Sequence, residues 1–169
     1  VTGCGQHGIE LFGFCGLRYT SFENRSIKYN DCHDNGGDGI NIRHDYCTAT
    51  GLRFSKNSIY NNGAQGIAVE QFPLVYGNPF VIAPVIDSVS SFSGTSTVYG
   101  TLNAVWPNRE FIIEYFSNVL PDPSGYGEGE QYLFHDTVVS SPNGWVFFAV
   151  ADSLFSTTNC ISATATDLV

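Results

Sequence analysis

Residues 37–42 read GDGINI, and the same phrase returns, respelled, as QHGIEL at 6–11 and AQGIAV at 64–69. Each contains Gly-Ile-x-apolar, anchored at Gly8, Gly39 and Gly66, and the anchors stand 31 and 27 residues apart. Periods of this size, with short alternating apolar pairs between Asn- and Gly-rich stretches, signal stacked repeats. The pairs Ile9/Leu11, Ile40/Ile42 and Ile67/Val69 have period two, so each puts two side chains on one side of a short strand. Stacked, the three pairs form one inward-facing apolar wall.

A longer echo lies between these anchors. GLRYTSFENRSIKYN (16–30) and GLRFSKNSIYNNG (51–63) begin 35 residues apart. The echo predicts a second strand set, Leu17/Tyr19 with Leu52/Phe54, and a third centred on Ile27 and Ile59. It also puts Arg18 and Arg53 at equivalent positions, as a structural ladder. Each coil then turns three times, with a short strand on each of three faces. Helix is disfavoured because Gly and Asn recur too often. Gly serves the tight bends, and Asn tolerates left-handed backbone and can hydrogen-bond along a stack. This pattern resembles the parallel β-helix repeats of bacterial secreted and surface proteins, over about residues 1–72.

FPLVYGNPFVIAP (72–84) breaks the rhythm with three prolines and reads as a junction, taken as 73–84. Beyond it, TSTVYGTLNA, EFIIEYFSN, YLFHDTVVS, WVFFAVADS and CISATATD are strand-like runs separated by turn signals such as Pro142-Asn143-Gly144. Short strands at this spacing predict an antiparallel β-sandwich. GTLN, FIIEYFSN, DPSGYGEGEQYL and ISATATD occur in that order over about residues 85–167. They resemble the immunoglobulin-like module that follows β-helix repeats in large bacterial surface proteins. The resemblance implies an all-β chain: a right-handed parallel β-helix of about three coils at 1–72, then an immunoglobulin-like sandwich at 85–169. In such modules ATATD is followed by a turn and one more strand rich in Thr, Ser and Phe, so the sandwich is expected to lack its last strand.

Bulk composition narrows the function. Of 169 residues 43% are hydrophobic, which marks a globular chain. Only 7 residues are Lys or Arg and the net charge is -9, which argues against nucleic acid, whose binding needs those cations. No apolar run approaches the ~20 residues of a membrane span. Met is absent, so the chain is expected to be a processed piece of a longer precursor, with any signal peptide removed. Cys4, Cys15, Cys32, Cys47 and Cys160 include no C-x-x-C pair, which disfavours zinc. The first four are expected to form up to two disulfides in an exported protein, and Cys160 to be a core residue. The pairing is not written in the sequence.

The acidic loop DNGGDG offers Asp34, Asn35 and Asp38 as calcium ligands, and DPSGYGEGE offers Asp122, Glu128 and Glu130. Calcium takes six to eight oxygens and the closing Glu of an EF-hand is missing, so tight Gly-rich turns with solvated carboxylates are the preferred reading. No cofactor is expected. Among His7, His33, His44 and His135, His33 and His44 flank GDGINI with Asp34 and Asp45 adjacent, yet strand neighbours point to opposite faces. They are expected at the surface. No Gly-x-Ser-x-Gly, Walker loop or His-Glu-x-x-His motif occurs.

Parallel β-helices also house polysaccharide lyases and hydrolases, in which paired carboxylates cleave glycosidic bonds. Their grooves need several consecutive coils. Tyr19, Tyr29, Tyr46 and Tyr60 can stack on sugars, but strand aromatics more often pack. A glycan-binding module would call for clustered exposed aromatics, for which Trp106 and Trp145 are the two tryptophans available. The expectation is therefore a non-enzymatic, secreted or cell-surface structural protein: a self-assembling subunit of a bacterial filament, sheath or adhesin. Its partners are other copies, head to tail, with glycans as a further possibility and a fragment of a β-helix lyase as the alternative. A solenoid without polar caps exposes its ends, and a missing strand leaves a slot beside Cys160–Asp167. VTGCGQ at the N-terminus is the expected donor for that slot.

Overall fold

The structure, a computed structural model, describes residues 1–14, 25–45, 52–71, 83–104, 106–123, 125, 127–155 and 159–168. Among these residues every regular element is a β-strand and no helix occurs. None is therefore long and apolar enough to cross a membrane as a helix. The chain divides into two compact units, Val1–Asn78 with Asp122–Glu128, and Pro79–Pro121 with Gly129–Val169. Residues 122–128 thus belong to the first unit, although the sequence reading left them in the second half. Much of the Pro-rich junction lies outside the described residues.

The first unit consists of parallel ladders. Strands β1 (Ile9–Phe14), β4 (Ile40–Asp45) and β7 (Ile67–Gln71) form one sheet in the order β1-β4-β7. β2 (Ser26–Lys28) pairs with β5 (Arg53–Ser55), and β3 (Asp31–His33) pairs with β6 (Ser58–Tyr60). The registers are Ile9↔Ile40↔Ile67, Ile27↔Phe54 and Cys32↔Ile59. The chain thus repeats a three-strand unit, β2-β3-β4 then β5-β6-β7, with each strand hydrogen-bonded to the one 27 residues earlier.

This register corrects the third predicted strand set. Ile27 stacks on Phe54, and Ile59 stacks on Cys32 rather than on Ile27. The physical reason is a length difference. Residues 15–25 separate β1 from β2, whereas only residues 46–52 separate β4 from β5, four fewer, which is the difference between the 31- and 27-residue offsets. The GLR echo sits on these two unequal connections and so runs out of step with the strands. Arg53 is in register with Ser26, not with Arg18. Arg18, Leu17 and Tyr19 lie outside the described residues.

Cys32, Ile40, Ile42 and Ile59 are buried at the centre, with Ile9, Leu11, Ile27, Leu52, Phe54 and Ile67 packed against them. Val69 follows Ile42 in register but is 45% exposed, because β7 has no described strand on its outer side. The corners recur in register too. Gly3, Asp34 and Asn61 have φ of 70, 55 and 54°, and Tyr29 and Lys56 have 58 and 54°. Between the corners, Gly5, Gly36 and Gly63 stack so closely that a Cβ on Gly63 would lie 2.4 Å from the Gly36 carbonyl oxygen. Only glycine fits such an approach.

The second unit holds two three-stranded antiparallel sheets. One runs β11 (Gln131–Val139), β10 (Glu110–Asn118), β13 (Cys160–Asp167); the other runs β12 (Trp145–Asp152), β9 (Thr95–Asn103), β8 (Val85–Phe92). Val98, Leu102, Val146 and Phe148 of the second sheet share one buried cluster with Phe111, Ile113 and Tyr115 of the first. Five strands match the predicted runs. β8 was missed, and it joins β9 through Ser93 and Gly94, both left-handed with φ of 51 and 83°. Two consecutive positive φ values give the type I′ geometry that matches strand twist.

Candidate functional site

The polar side chains of the first unit form columns that run from rung to rung. The residue after each left-handed corner is the ladder residue: Asn30 and Asn57 after Tyr29 and Lys56, Asn35 and Asn62 after Asp34 and Asn61. The Asn30 backbone and side-chain amides both donate to Asn57 Oδ1, at 3.1 and 2.9 Å. Asn35 does the same to Asn62 Oδ1, at 3.3 and 2.8 Å, and the Cys4 amide donates to Asn35 Oδ1 at 3.1 Å. Asn62 in turn donates from its backbone and from Nδ2 to the Glu128 carboxylate, with Nδ2–Oε1 at 2.8 Å. The column Cys4–Asn35–Asn62–Glu128 therefore runs donor to acceptor in one direction and ends on a group that only accepts. Glu128 is buried, which pushes its carboxyl above the ordinary range, while its bonds from Asn62 pull the other way.

A second column joins His7, Asp38 and Gln65. His7 Nδ1 lies 3.1 Å from Asp38 Oδ2, the Gln65 amide donates to Asp38 Oδ1 at 2.9 Å, and Asn41 Nδ2 donates to Asp38 Oδ2 at 2.8 Å. Two of the calcium candidates, Asp38 and Glu128, are thus acceptors for the backbone amides of Gln65 and Asn62. Asp34 occupies a left-handed corner with its carboxylate 2.8 Å from His33 Nδ1. Glu130 accepts from the Val119 amide at 3.1 Å, and the Asp122 carbonyl accepts from Gly125. Among the described residues no three His, Cys, Asp or Glu side chains come together to hold a metal ion.

The described histidines have separate partners. His33 stacks on Tyr60 with centroids 4.7 Å apart, and His135 Nδ1 lies 2.9 Å from the Tyr132 hydroxyl. The side chains of His44 and Asp45, with Tyr19, Tyr46, Cys15 and Cys47, fall outside the described residues. Tyr29 is exposed with Lys56 Nζ 5.8 Å above its ring. Cys4, Cys32 and Cys160 are free thiols, which corrects the disulfide expectation for the two that lie in the first third. Cys32 is wholly buried in the strand core, and that burial raises its thiol pKa, so it serves as a small apolar residue. VTGCGQ is engaged within its own chain: Val1 and Cys4 carbonyls accept from His33 and Gly36 at 3.1 and 2.8 Å, and Thr2 bridges to His33.

The clustered exposed aromatics lie in the second unit. On the outer side of β12-β9-β8, Trp145, Phe147 and Tyr99 are 39, 79 and 42% exposed. Trp145 and Phe147 are two apart on β12, so both face outward, with ring centroids 6.4 Å apart and planes 22° from parallel. The sequence reading named Trp106 and Trp145 and did not single out Phe147 or Tyr99. The alternation of WVFFAVAD, with Val146 and Phe148 buried, is the signal that places Phe147 beside it. Trp106 stands apart at 46% exposure with the Arg109 guanidinium 5.4 Å from its ring.

No known protein family matches this chain, and no curated protein matches it.

Proposed function

We propose that this chain is a non-enzymatic structural protein of the bacterial cell exterior, a short right-handed parallel β-helix followed by an immunoglobulin-like sandwich, whose copies join head to tail. The observation that carries this reading is the use made of the first unit's acid–base groups. The Gln65 amide donates to Asp38, the Asn62 amide to Glu128 and the Asp38 amide to His7 Nδ1, so the groups a lyase or hydrolase would turn toward a substrate are tied into the framework. The parallel ladders, three at a 27-residue offset and β1–β4 at 31, support the β-helix, and the shared core of two antiparallel sheets supports the sandwich. The extracellular setting rests on the sequence resemblance.

Head-to-tail joining is proposed at the β1 edge. The Ile9 amide donates inward to Gly39, so in an extended strand the Glu10 amide points to the opposite side. The far end of the Asn column is already covered by Glu128, so the contact joins two unlike surfaces, head to tail. Glu10→Pro removes an outward donor without touching the β1–β4 bonds, and the exposed Glu10–Arg43 pair at 3.8 Å contributes little. Sedimentation velocity and electron microscopy of wild type should find chains of copies that Glu10→Pro abolishes with unchanged melting. A wild type that stays monomeric at every concentration overturns the reading.

A further inference from the structure

We propose that the outer face of the β12-β9-β8 sheet binds a neutral glycan, with the rings of Trp145, Phe147 and Tyr99 stacked on its pyranose rings. The inference is independent of the assembly at β1. Three large aromatic side chains standing open on one sheet face form an apolar patch of the kind that marks an interaction site. The register places them close together. Trp145 is opposite Asn103, Phe147 opposite Thr101 and then Val85, and Tyr99 opposite Ala149 in the next row.

What selects a sugar is the mixture of chemistry on this face. A pyranose ring has C–H faces, which are drawn to the negative face of an aromatic ring, and hydroxyl edges, which need uncharged donors and acceptors. Here the aromatic rings alternate with hydroxyl and amide side chains, Thr101 and Asn103 among them. The 6.4 Å between the Trp145 and Phe147 rings is the two-residue rise of a strand, ~6.6 Å, so β12 presents a linear run of platforms rather than one isolated ring.

Charge decides which glycan. No outward-facing position of these three strands in register carries a charged side chain, although the chain has net charge -9; Asp87 sits at the β8 bulge. A neutral face on an acidic protein is complementary to a neutral ligand, while the surrounding field repels uronic-acid polymers and nucleic acids. A second copy would bring another charge of -9 and find no ion pairs on this face to fix its orientation.

The test is retention on insoluble cellulose and chitin, and affinity electrophoresis in soluble β-glucan, glucomannan and galactomannan, with pectin and alginate as acidic counterparts. At least one neutral glycan should retain the protein, and neither acidic one should. Trp145→Ala and Phe147→Ala should each weaken that retention at least tenfold with unchanged melting temperature; Phe147, the more exposed, secures the result if Trp145→Ala perturbs the fold. Trp106→Ala should retain full binding. Failure of every neutral glycan, retention indifferent to both substitutions, or a dimer in sedimentation that Phe147→Ala dissolves while no glycan binds would each overturn the proposal.

Discussion

The side-chain amide of Asn35 donates to Asn62 Oδ1 at 2.8 Å, across 27 residues of sequence and one step of the stack. Both side chains are buried. The pair matters because a buried amide must satisfy both its ends. Asn62 does so completely: its oxygen accepts from Asn35, and its nitrogen donates to the carbonyls of Cys32 and Tyr60 and to Glu128. One side chain thus ties two successive three-strand repeats to the 122–128 segment.

Replacing Asn62 removes an acceptor and leaves buried partners on three sides. Each unsatisfied buried group costs ~1–3 kcal/mol. Asn62→Ala should therefore destabilise the protein by at least about 3 kcal/mol in urea unfolding. Asn62→Asp should be worse above neutral pH, because it sets a second carboxylate against Glu128. A loss under about 1 kcal/mol for Asn62→Ala would mean the column is ornamental.

Ile40 is wholly buried between Ile9 and Ile67 in the same sheet. Ile40→Asp places an unpaired carboxylate where no described donor compensates it. The expected loss is more than about 4 kcal/mol, enough to unfold the first unit at room temperature. Circular dichroism melting checks it, and an unchanged midpoint would refute the placement of Ile40 in the core.

Much of this fold was legible, and its failures have physical causes. Gly8, Gly39 and Gly66 announced the β1-β4-β7 register, and a Cβ on Gly8 or Gly39 would lie 2.7 or 2.8 Å from the carbonyl oxygen of the next glycine in the column. The GLR echo misled because it falls on connections of unequal length. The better guide was the asparagines: Asn30 and Asn35 recur as Asn57 and Asn62, which gives the 27-residue offset directly. β8 escaped because the bulge between Ile86 and Ser88 breaks its alternation and seven of its eight residues are exposed on a sheet edge, so only Ser93-Gly94 betrayed the hairpin. The role of Glu128 had no local signal at all. Its partner is 66 residues away, and such a contact is not encoded by spacing.

The proposed absence of catalysis rests on the use of the carboxylates. Asp38 accepts from Asn41 and from the Gln65 amide, Glu128 accepts from Asn62, and neither carboxylate can leave without stranding those donors. Incubation with pectin, alginate and neutral glycans should release neither unsaturated nor reducing ends. Turnover abolished by Asp34→Asn or Asp38→Asn would replace the structural reading with an enzymatic one.

In the second unit, Tyr115 is wholly buried and its hydroxyl has no hydrogen-bond partner among the described residues. Burial and the nearby Asp136 carboxylate raise its pKa, so the group stays protonated. The ring itself is well placed, between Phe134 at 5.1 Å and Phe155 at 5.7 Å. Tyr115→Phe keeps the ring and removes only the desolvated oxygen. Stability should hold or rise by about 1 kcal/mol. A loss of that size in urea unfolding would reveal a bond to the hydroxyl.

Glu128 makes the first unit's stability depend on pH with an unusual sign. Unfolded, its carboxyl ionises at its ordinary 4.5; folded, burial raises that value, with the Asn62 bonds opposing. Below 4.5 both states are protonated and the difference has no effect. Above it the unfolded chain ionises first, so the contribution of this group falls as pH rises until the folded carboxyl ionises as well. Glu128→Gln has no such titration, yet its amide oxygen still accepts from Asn62. The stability of wild type relative to Glu128→Gln should therefore be greatest near pH 4 and decline toward pH 7, read as the difference in urea midpoints. A difference that grows with pH would mean the bonds from Asn62 outweigh burial, and that the column ends on a carboxylate because the charge strengthens it.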